Sequence, residues 1–158
     1  GVVINKRCQQ PDFKHICNEG LIHRLAKVNH PVYYGGPVLT NVVGVLHSTD
    51  YILSSTNKLT DDKVGFTLDR KMLEVIAKGQ GPKNKLITLG LANWSTGQLE
   101  EELEHPRDPA MSWLLMDYDE KFVFGQLDED KPDDLWERSL AEAIRKKTKE
   151  ITSRVFKD

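Results

Sequence analysis

The chain has 158 residues, of which 39% are hydrophobic and 29% charged, and its formal net charge is −2. This length suits a single domain that buries a core of its own without a disulfide or metal to hold it together. The slight acidity gives no general attraction to nucleic acid or anionic membrane, and no apolar run approaches the roughly 20 residues of a membrane-spanning helix. The two cysteines, Cys8 and Cys17, are too few for a disulfide framework, so we expect a cytoplasmic protein.

The first thirty residues predict a strand, a loop and a helix. The apolar run Gly1–Lys6 is typical of a core strand, and no turn or cap precedes it. We therefore expect that an N-terminal segment is missing. Arg7–Cys17 is polar and interrupted by proline, as in a loop, and Asn18 is a suitable N-cap for a short helix over Glu19–Val28.

Residues 31–68 are rich in β-branched and aromatic side chains, which favour strands. A turn separates the first two strands, because the glycines of Gly35-Gly36-Pro37 permit a positive φ and the proline restricts the next φ. The predicted strands of this region are Pro31–Tyr34, Val42–Ser48, Tyr51–Thr56 and Lys63–Leu68, with a linker over Asn57–Asp62.

The middle of the chain carries the clearest local signals. Asp69 is the N-cap of a predicted helix over Arg70–Lys78, and a glycine follows the end of that helix. Leu86–Ala92 is almost wholly apolar, which predicts a strand covered on both faces. The sequence Ser95-Thr96-Gly97-Gln98 fits a capping box at the start of a helix over Thr96–Glu104, with Ser95 as N-cap and Gln98 reaching back to it.

The last third predicts short core segments and one long helix. Ser112–Asp117 is consistent with a strand or a buried turn, and Lys121–Gly125 with a short strand or an irregular core segment. A last helix is predicted to open at Pro132–Trp136 and to run to about Val155, because proline and acidic residues open it and apolar residues recur at helical spacing. Its end, residues 145–158, forms a basic helical tail. Strands outnumber helices without strictly alternating with them, which favours an α+β domain.

Two places invite a catalytic or binding interpretation. The turn Asn93–Gln98 precedes a helix, and helix N-termini bind anions, but the capping box occupies free amides and Glu100-Glu101-Glu102 repels negative charge. We therefore favour structural capping there. His47 and Asp50 are the residue types of a general base and its orienting carboxylate. Since no serine or cysteine lies in a nucleophile-elbow sequence, a core-edge histidine bonded to backbone is the favoured alternative.

The sequence gives little support for a nucleic-acid site or a metal site. The basic cluster of the tail suits the negative pole of a helix dipole, and acidic residues dilute it. We therefore favour a solvated helix end over nucleic-acid binding, and we predict no membrane association, no cofactor and no metal. The candidate metal ligands Cys8, His15, Cys17, His23 and His30 match no structural zinc pattern.

Six blocks of sequence together resemble the YqgE/AlgH family of bacterial proteins. They are Gly1–Lys6, Tyr34–Val38, Gly44–Ser48, Ala77–Pro82, Leu89–Glu100 and Leu135–Ala141, and their order and spacing agree along nearly the whole chain. The resemblance implies a single compact α+β domain of a bacterial cytosolic protein, with a bent, mostly antiparallel, partly barrel-like sheet flanked by helices. The family has no established biochemical activity, so no catalytic residues carry over. Some members of the family are labelled transcriptional regulators, but this sequence contains no recognisable DNA-binding motif.

Two departures from the family pattern stand out. Family members usually begin earlier, with paired strands, which agrees with the expected missing segment. Their short ending is replaced here by a longer charged helix after Ile144, so any oligomer contact made there is expected to be particular to this protein.

The leading functional hypothesis is a non-enzymatic ligand-binding or regulatory domain that binds a small molecule or protein, as a monomer or weak homo-oligomer. The alternatives are a small hydrolase or transferase that pairs His47 with Glu100 or Asp50, and a DNA-binding transcriptional regulator. No catalytic residue is identified. The predicted cleft, formed by glycine-rich turns and strand ends, consists of Gly35, Gly36, Pro37, His47, Trp94, Gly97, Gln98 and Glu100.

Overall fold

The computed structural model describes residues 1–9, 16, 30–106, 113–125 and 134–155. Within these ranges the chain forms one open five-stranded sheet and four helices, a mixed α/β arrangement that confirms the predicted α+β class. The strands are β1 (Val32–Tyr34), β2 (Val38–Ser48), β3 (Asn57–Leu59), β4 (Val64–Thr67) and β5 (Lys85–Leu91). The helices are α1 (Arg70–Ala77), α2 (Gln98–Glu104), α3 (Glu120–Phe124) and α4 (Asp134–Val155).

Strand β5 lies inside the sheet, whose order is β1-β5-β2-β4-β3. It pairs in parallel with β1 and antiparallel with β2, and the remaining pairs are antiparallel. Its successive residues Leu86 and Ile87 are both buried, and they belong to different core clusters because neighbouring side chains of a strand point to opposite faces. The predicted strand covered on both faces is therefore confirmed.

Helix α1 covers one face of the sheet. Asp69 accepts a hydrogen bond from the Lys71 amide, as an N-cap residue does, and Gly79 follows the helix end with a φ of 74°. Both capping predictions are confirmed. The buried residues of this face are Val32, Val45, Met72, Leu73, Ile76, Ala77 and Ile87.

The opposite face is covered by α3 and by the beginning of the described chain. Phe124 of α3 is buried with Tyr33, Leu46, Val64 and Leu86, and Val2 and Ile4 pack against this cluster. Gly1–Lys6 was predicted to be a strand, but the structure assigns no strand there. Instead the segment makes irregular backbone hydrogen bonds, such as that from the Val3 amide to the Gly35 carbonyl (2.8 Å).

The predicted strand Tyr51–Thr56 is wrong. The segment turns at Ser54 and Ser55, and the strand follows at Asn57–Leu59, in the predicted linker. The turn is closed on both sides, since the Leu53 amide donates to the Thr56 hydroxyl (2.9 Å) and the Thr56 amide to the Leu53 carbonyl (3.0 Å). Local bonding by a threonine side chain thus overrides β-propensity here.

The interpretation of Lys121–Gly125 as a strand or irregular segment is also wrong. Asp119 accepts from the Phe122 amide (3.0 Å) and caps the short helix α3. The described part of Ser112–Asp117 is neither strand nor buried, because residues 113–117 are irregular and exposed.

The long C-terminal helix is confirmed, and α4 runs to Val155. The helix predicted over Glu19–Val28 lies outside the described residues. Among the helices of the described ranges, none has the length and apolarity to cross a membrane.

Candidate functional site

In the turn Gly35-Gly36-Pro37 the two glycines are buried and packed against backbone, whereas Pro37 is exposed. The Gly35 amide donates to the Leu89 carbonyl (2.7 Å). A Cβ at Gly35 would collide with the carbonyl oxygen of Gly90, and one at Gly36 with the carbonyl group of Leu91. Gly90 in turn has a φ of 76° and no room for a Cβ beside the Gly36 carbonyl. These glycines are therefore required for close approach of two backbones.

His47 lies in the core at 0% exposure. Its Nδ1 is 2.9 Å from the Ser48 carbonyl oxygen, which only accepts, so Nδ1 carries the proton. Its Nε2 is 2.9 Å from the Thr67 hydroxyl oxygen. In the neutral ring Nε2 accepts from Thr67, whose oxygen then accepts from the Thr56 hydroxyl at 2.8 Å. The chain of bonds ends at the Leu53 amide, which donates to Thr56.

This network suits a neutral imidazole. A proton on Nε2 would turn that nitrogen from acceptor to donor and require the threonine hydroxyls to reverse. Burial lowers the pKa of His47, while the bond to Ser48 and the charge of Asp50 oppose that shift. Both ring nitrogens are therefore engaged away from solvent: Nδ1 bonds within β2, and Nε2 links β2 to β4 and, through Thr67 and Thr56, to the 53–56 turn.

Asp50 joins the end of β2 to the start of β5. Its carboxylate accepts from the Ser48 hydroxyl and from the Lys83 amide (3.0 Å), and the Asn84 amide donates to the Ser48 oxygen (3.0 Å). Burial raises the pKa of Asp50, but these hydrogen bonds outweigh it and leave the pKa below its usual value. The carboxylate thus contacts Ser48 and Lys83, with no hydrogen bond to the His47 ring given by the structure.

Trp94 lies at the other end of β5. Its indole N–H donates to Glu102 (3.3 Å), its ring meets Trp113 edge-on at 5.9 Å, and Gly1 lies against it. The Gln98 side chain accepts from the Ser95 amide at 3.0 Å, as the capping-box prediction requires. However, α2 begins only at Gln98. Its N-cap is therefore Gly97, which has no side chain to accept a bond, and not Ser95 as predicted.

The predicted cleft residues fall into two separate groups. Trp94, Gly97, Gln98 and Glu100 follow the last residue of β5, and Gly35-Gly36-Pro37 packs beside that same end. His47 pairs with Lys85, the first residue of β5. Six residues at about 3.3 Å each put roughly 20 Å between these two ends. The structure therefore does not bring His47 together with Trp94 or Glu100.

A groove that the sequence interpretation did not include lies between the 113–119 segment, α3 and α4. Its volume is about 900 Å³. Its apolar lining consists of Leu114, Leu115, Met116, Phe122, Ala141 and Ala143. Its charged lining consists of Asp117, Asp119, Lys121, Arg138, Glu142, Arg145, Lys146 and Lys147. The available signal was the apolar run 113–116 followed by a basic helix, but that run was interpreted as core.

The acids of this groove are already engaged. Asp117 pairs with Lys146, Glu142 pairs with Arg145 at 2.8 Å, and Asp119 caps α3. Arg138 lies 5.8 Å from the centre of the Phe122 ring, in cation–π geometry. The groove therefore combines an apolar wall with an excess of positive charge.

The described residues contain no group of three or more His, Cys, Asp or Glu side chains placed to hold a metal ion. Of the five candidate ligands, Cys8 and His30 lie in this part of the chain, whereas His15, Cys17 and His23 lie outside it.

Comparison with known proteins identifies the family. Residues 1–147 match the AlgH-like family. A UPF0301 protein of Bradyrhizobium sp. (strain BTAi1) is 36% identical over 141 residues, which cover 84% of this chain and 63% of the relative. A UPF0301 protein of Rickettsia akari is 34% identical over 142 residues, which cover 89% of this chain and 69% of the relative. The chain thus spans a little under two thirds of the Bradyrhizobium protein.

A solved structure resembles the fold. The AlgH protein from Pseudomonas aeruginosa, determined in solution, superposes with a TM-score of 0.67 at 27% identity, covering 91% of this chain and 71% of that one. Family match, relatives and fold agree with the resemblance drawn from the sequence motifs. The chain belongs to the AlgH-like family.

Proposed function

We propose that the chain is a non-enzymatic binding domain of a bacterial cytosolic protein, and that its ligand is a small amphipathic anion bound in the groove between the 113–119 segment and α4. The observation that carries the proposal is the lining of that groove, where exposed apolar side chains stand beside basic ones. Ligand sites usually combine an apolar wall with a few polar groups that fix orientation.

The charges of the groove favour an anion. Its three acids are already bound to Lys146, Arg145 and the backbone of α3. A carboxylate or phosphate placed beside Arg138 and Lys147 would meet positive charge without displacing an acid. An alkyl or aromatic tail would then cover Leu115, which is 76% exposed in the described structure, and burying it is worth about 1.5–3 kcal/mol.

The two alternative functions have less support. The hydrolase or transferase hypothesis requires His47 to face a cleft. Instead its ring is buried, and both ring nitrogens are hydrogen-bonded, one to Ser48 and the other to Thr67. The DNA-binding hypothesis needs an uninterrupted basic face, yet Arg145 and Lys146 are paired with acids. In the ligand-binding hypothesis Trp94 keeps an indirect place, because it contacts Trp113, the residue just before the segment that lines the groove.

Calorimetric titration with two probes of equal chain length tests the proposal. We expect dodecanoate to bind and dodecyltrimethylammonium to bind at least about tenfold more weakly, because the groove carries excess positive charge. Arg138→Gln should weaken dodecanoate binding by about tenfold, since charged contacts in a partly apolar site are each worth about 1–3 kcal/mol.

Lys71→Gln is the matched control, because it removes one positive charge from α1 without touching the groove. It should bind dodecanoate like the parent chain. Equal binding of the anionic and cationic probes, or equal loss in Arg138→Gln and Lys71→Gln, would contradict the proposal.

A further inference from the structure

Helix α4 presents an apolar stripe to solvent. Trp136, Leu140 and Ile144 recur every four residues and are 56%, 40% and 58% exposed. At 3.6 residues per turn, Leu140 and Ile144 lie within about 80° of Trp136 around the helix axis. In a surface helix such a stripe normally faces the core, whereas the stripe of α4 faces solvent.

The stripe is not part of the groove. The groove is lined from α4 by Arg138, Glu142 and Arg145, among others, and not by the three stripe residues. Arg138 and Arg145 lie about 160–180° around the axis from Trp136, whereas Ala143 and Lys147, which also line the groove, lie about 20° from it. The stripe therefore borders the groove along α4, and its three apolar side chains stay exposed. Contiguous exposed apolar surface of this kind marks an interaction site.

The two halves of α4 differ in net charge. Acids outnumber bases in residues 134–144, which carry Asp134, Glu137 and Glu142 against Arg138, and the sequence just before the helix is also acidic. Bases outnumber acids in residues 145–155, which carry Arg145, Lys146, Lys147, Lys149 and Arg154 against Glu150. A parallel neighbour of the same sequence would place base against base. An antiparallel neighbour places the acidic start of one helix beside the basic end of the other, which makes the surface complementary to itself.

We propose that the stripe of Trp136, Leu140 and Ile144 is a self-association surface, on which α4 of a second copy of this chain packs antiparallel. This partner follows from both features at once: the stripe supplies the apolar contact and the charge gradient supplies the direction. Antiparallel helices pack in this way around apolar positions. One helix pair buries less than the roughly 1,200 Å² of a standard interface, so a weak, concentration-dependent dimer results.

Sedimentation velocity of the full chain over a hundredfold concentration range tests this inference. The expected result is a reversible monomer–dimer equilibrium that Trp136→Asp shifts to monomer, with a dissociation constant raised at least about tenfold. Ile52→Asp adds the same charge to an exposed apolar residue that lies outside both the stripe and the groove, and it should leave the equilibrium unchanged. Monomer at every concentration, or a dimer that survives Trp136→Asp, would overturn the inference.

A charge exchange tests the direction. Glu137→Lys and Lys147→Glu should each weaken the dimer, because each puts like charges together at the ends of an antiparallel pair. The double variant should recover most of the parent affinity. Circular dichroism of each variant checks that α4 stays helical. Failure of the double variant to recover, with helicity intact, would exclude the antiparallel arrangement.

Discussion

Gly90 and Gly97 share a left-handed backbone but stand in different surroundings. Their φ values are 76° and 80°. A Cβ at Gly90 would meet the carbonyl oxygen of Gly36, whereas one at Gly97 has nothing within 4 Å. The two positions therefore separate the cost of an unusual φ from the cost of close backbone approach.

We predict that Gly90→Ala lowers the free energy of unfolding by about 2–4 kcal/mol, and Gly97→Ala by about 1 kcal/mol. Both variants carry the left-handed strain, and only Gly90→Ala adds overpacking against the Gly36 carbonyl. Urea denaturation of the two variants measures the difference. Equal losses would mean that the contact between the Gly35-Gly36-Pro37 turn and β5 is looser than described.

For His47, the sequence predicted the position in the fold but not the hydrogen-bond partners. Its placement at the end of β2 and its alternative role as a core histidine followed from the apolar strand around it. Its partners did not, because Thr67 and Thr56 reach it from a neighbouring strand and a turn that was predicted to be a strand. Hydrogen bonds between distant residues leave no local pattern in the chain.

At the scale of elements, predictions succeeded where local signals agreed. Strand β5 follows from an apolar run, and α1 from a cap, an amphipathic face and a terminal glycine. Strand β3 has three residues and α3 has five, which is too short for periodicity to distinguish helix from strand. Tertiary contacts decide both: β3 pairs with β4, and α3 buries Phe124.

The cap of α3 gives a test at this scale. We predict that Asp119→Ala lowers the free energy of unfolding by about 1 kcal/mol, because the Phe122 amide loses its acceptor. Asp119→Asn should keep most of that stability, since asparagine caps equally well. Both can be measured by urea denaturation. Equal losses in the two variants would assign the effect to the charge of Asp119 rather than to its hydrogen bond.

At the scale of the whole molecule, the fold class and family followed from sequence, and the groove did not. The motifs that identified the family lie mostly at glycine turns and in β5, which build the sheet. The groove depends on where α4 packs and on the 113–117 segment being exposed. An apolar run such as Trp113–Met116 has the same composition whether it is buried or exposed, so its position could be found only in the folded chain.

The stability of the whole molecule depends on pH through two of its histidines. Burial lowers the pKa of His47 from its ordinary value of 6.5, and burial also lowers that of His30. Below about pH 6.5 the unfolded chain therefore binds protons that the folded chain does not, and stability falls with falling pH. The pKa values of Asp50 and Asp69 are also lowered, but these carboxylates protonate in the unfolded chain only near pH 4, outside this window.

We predict that the free energy of unfolding declines from about pH 7.5 toward pH 5.5, where each histidine kept neutral contributes a limiting slope of about 1.4 kcal/mol per pH unit. His47→Gln should be less stable than the parent at pH 7.5, because Ser48 and Thr67 lose their partner. Its stability should nevertheless fall less steeply on acidification, since one neutral histidine is gone. Urea denaturation at several pH values measures both slopes, and His30→Gln separates the second contribution. Identical slopes in the parent and His47→Gln would show that His47 takes up its proton in the folded state, and that the hydroxyl chain from Thr67 to Thr56 reverses to accept it.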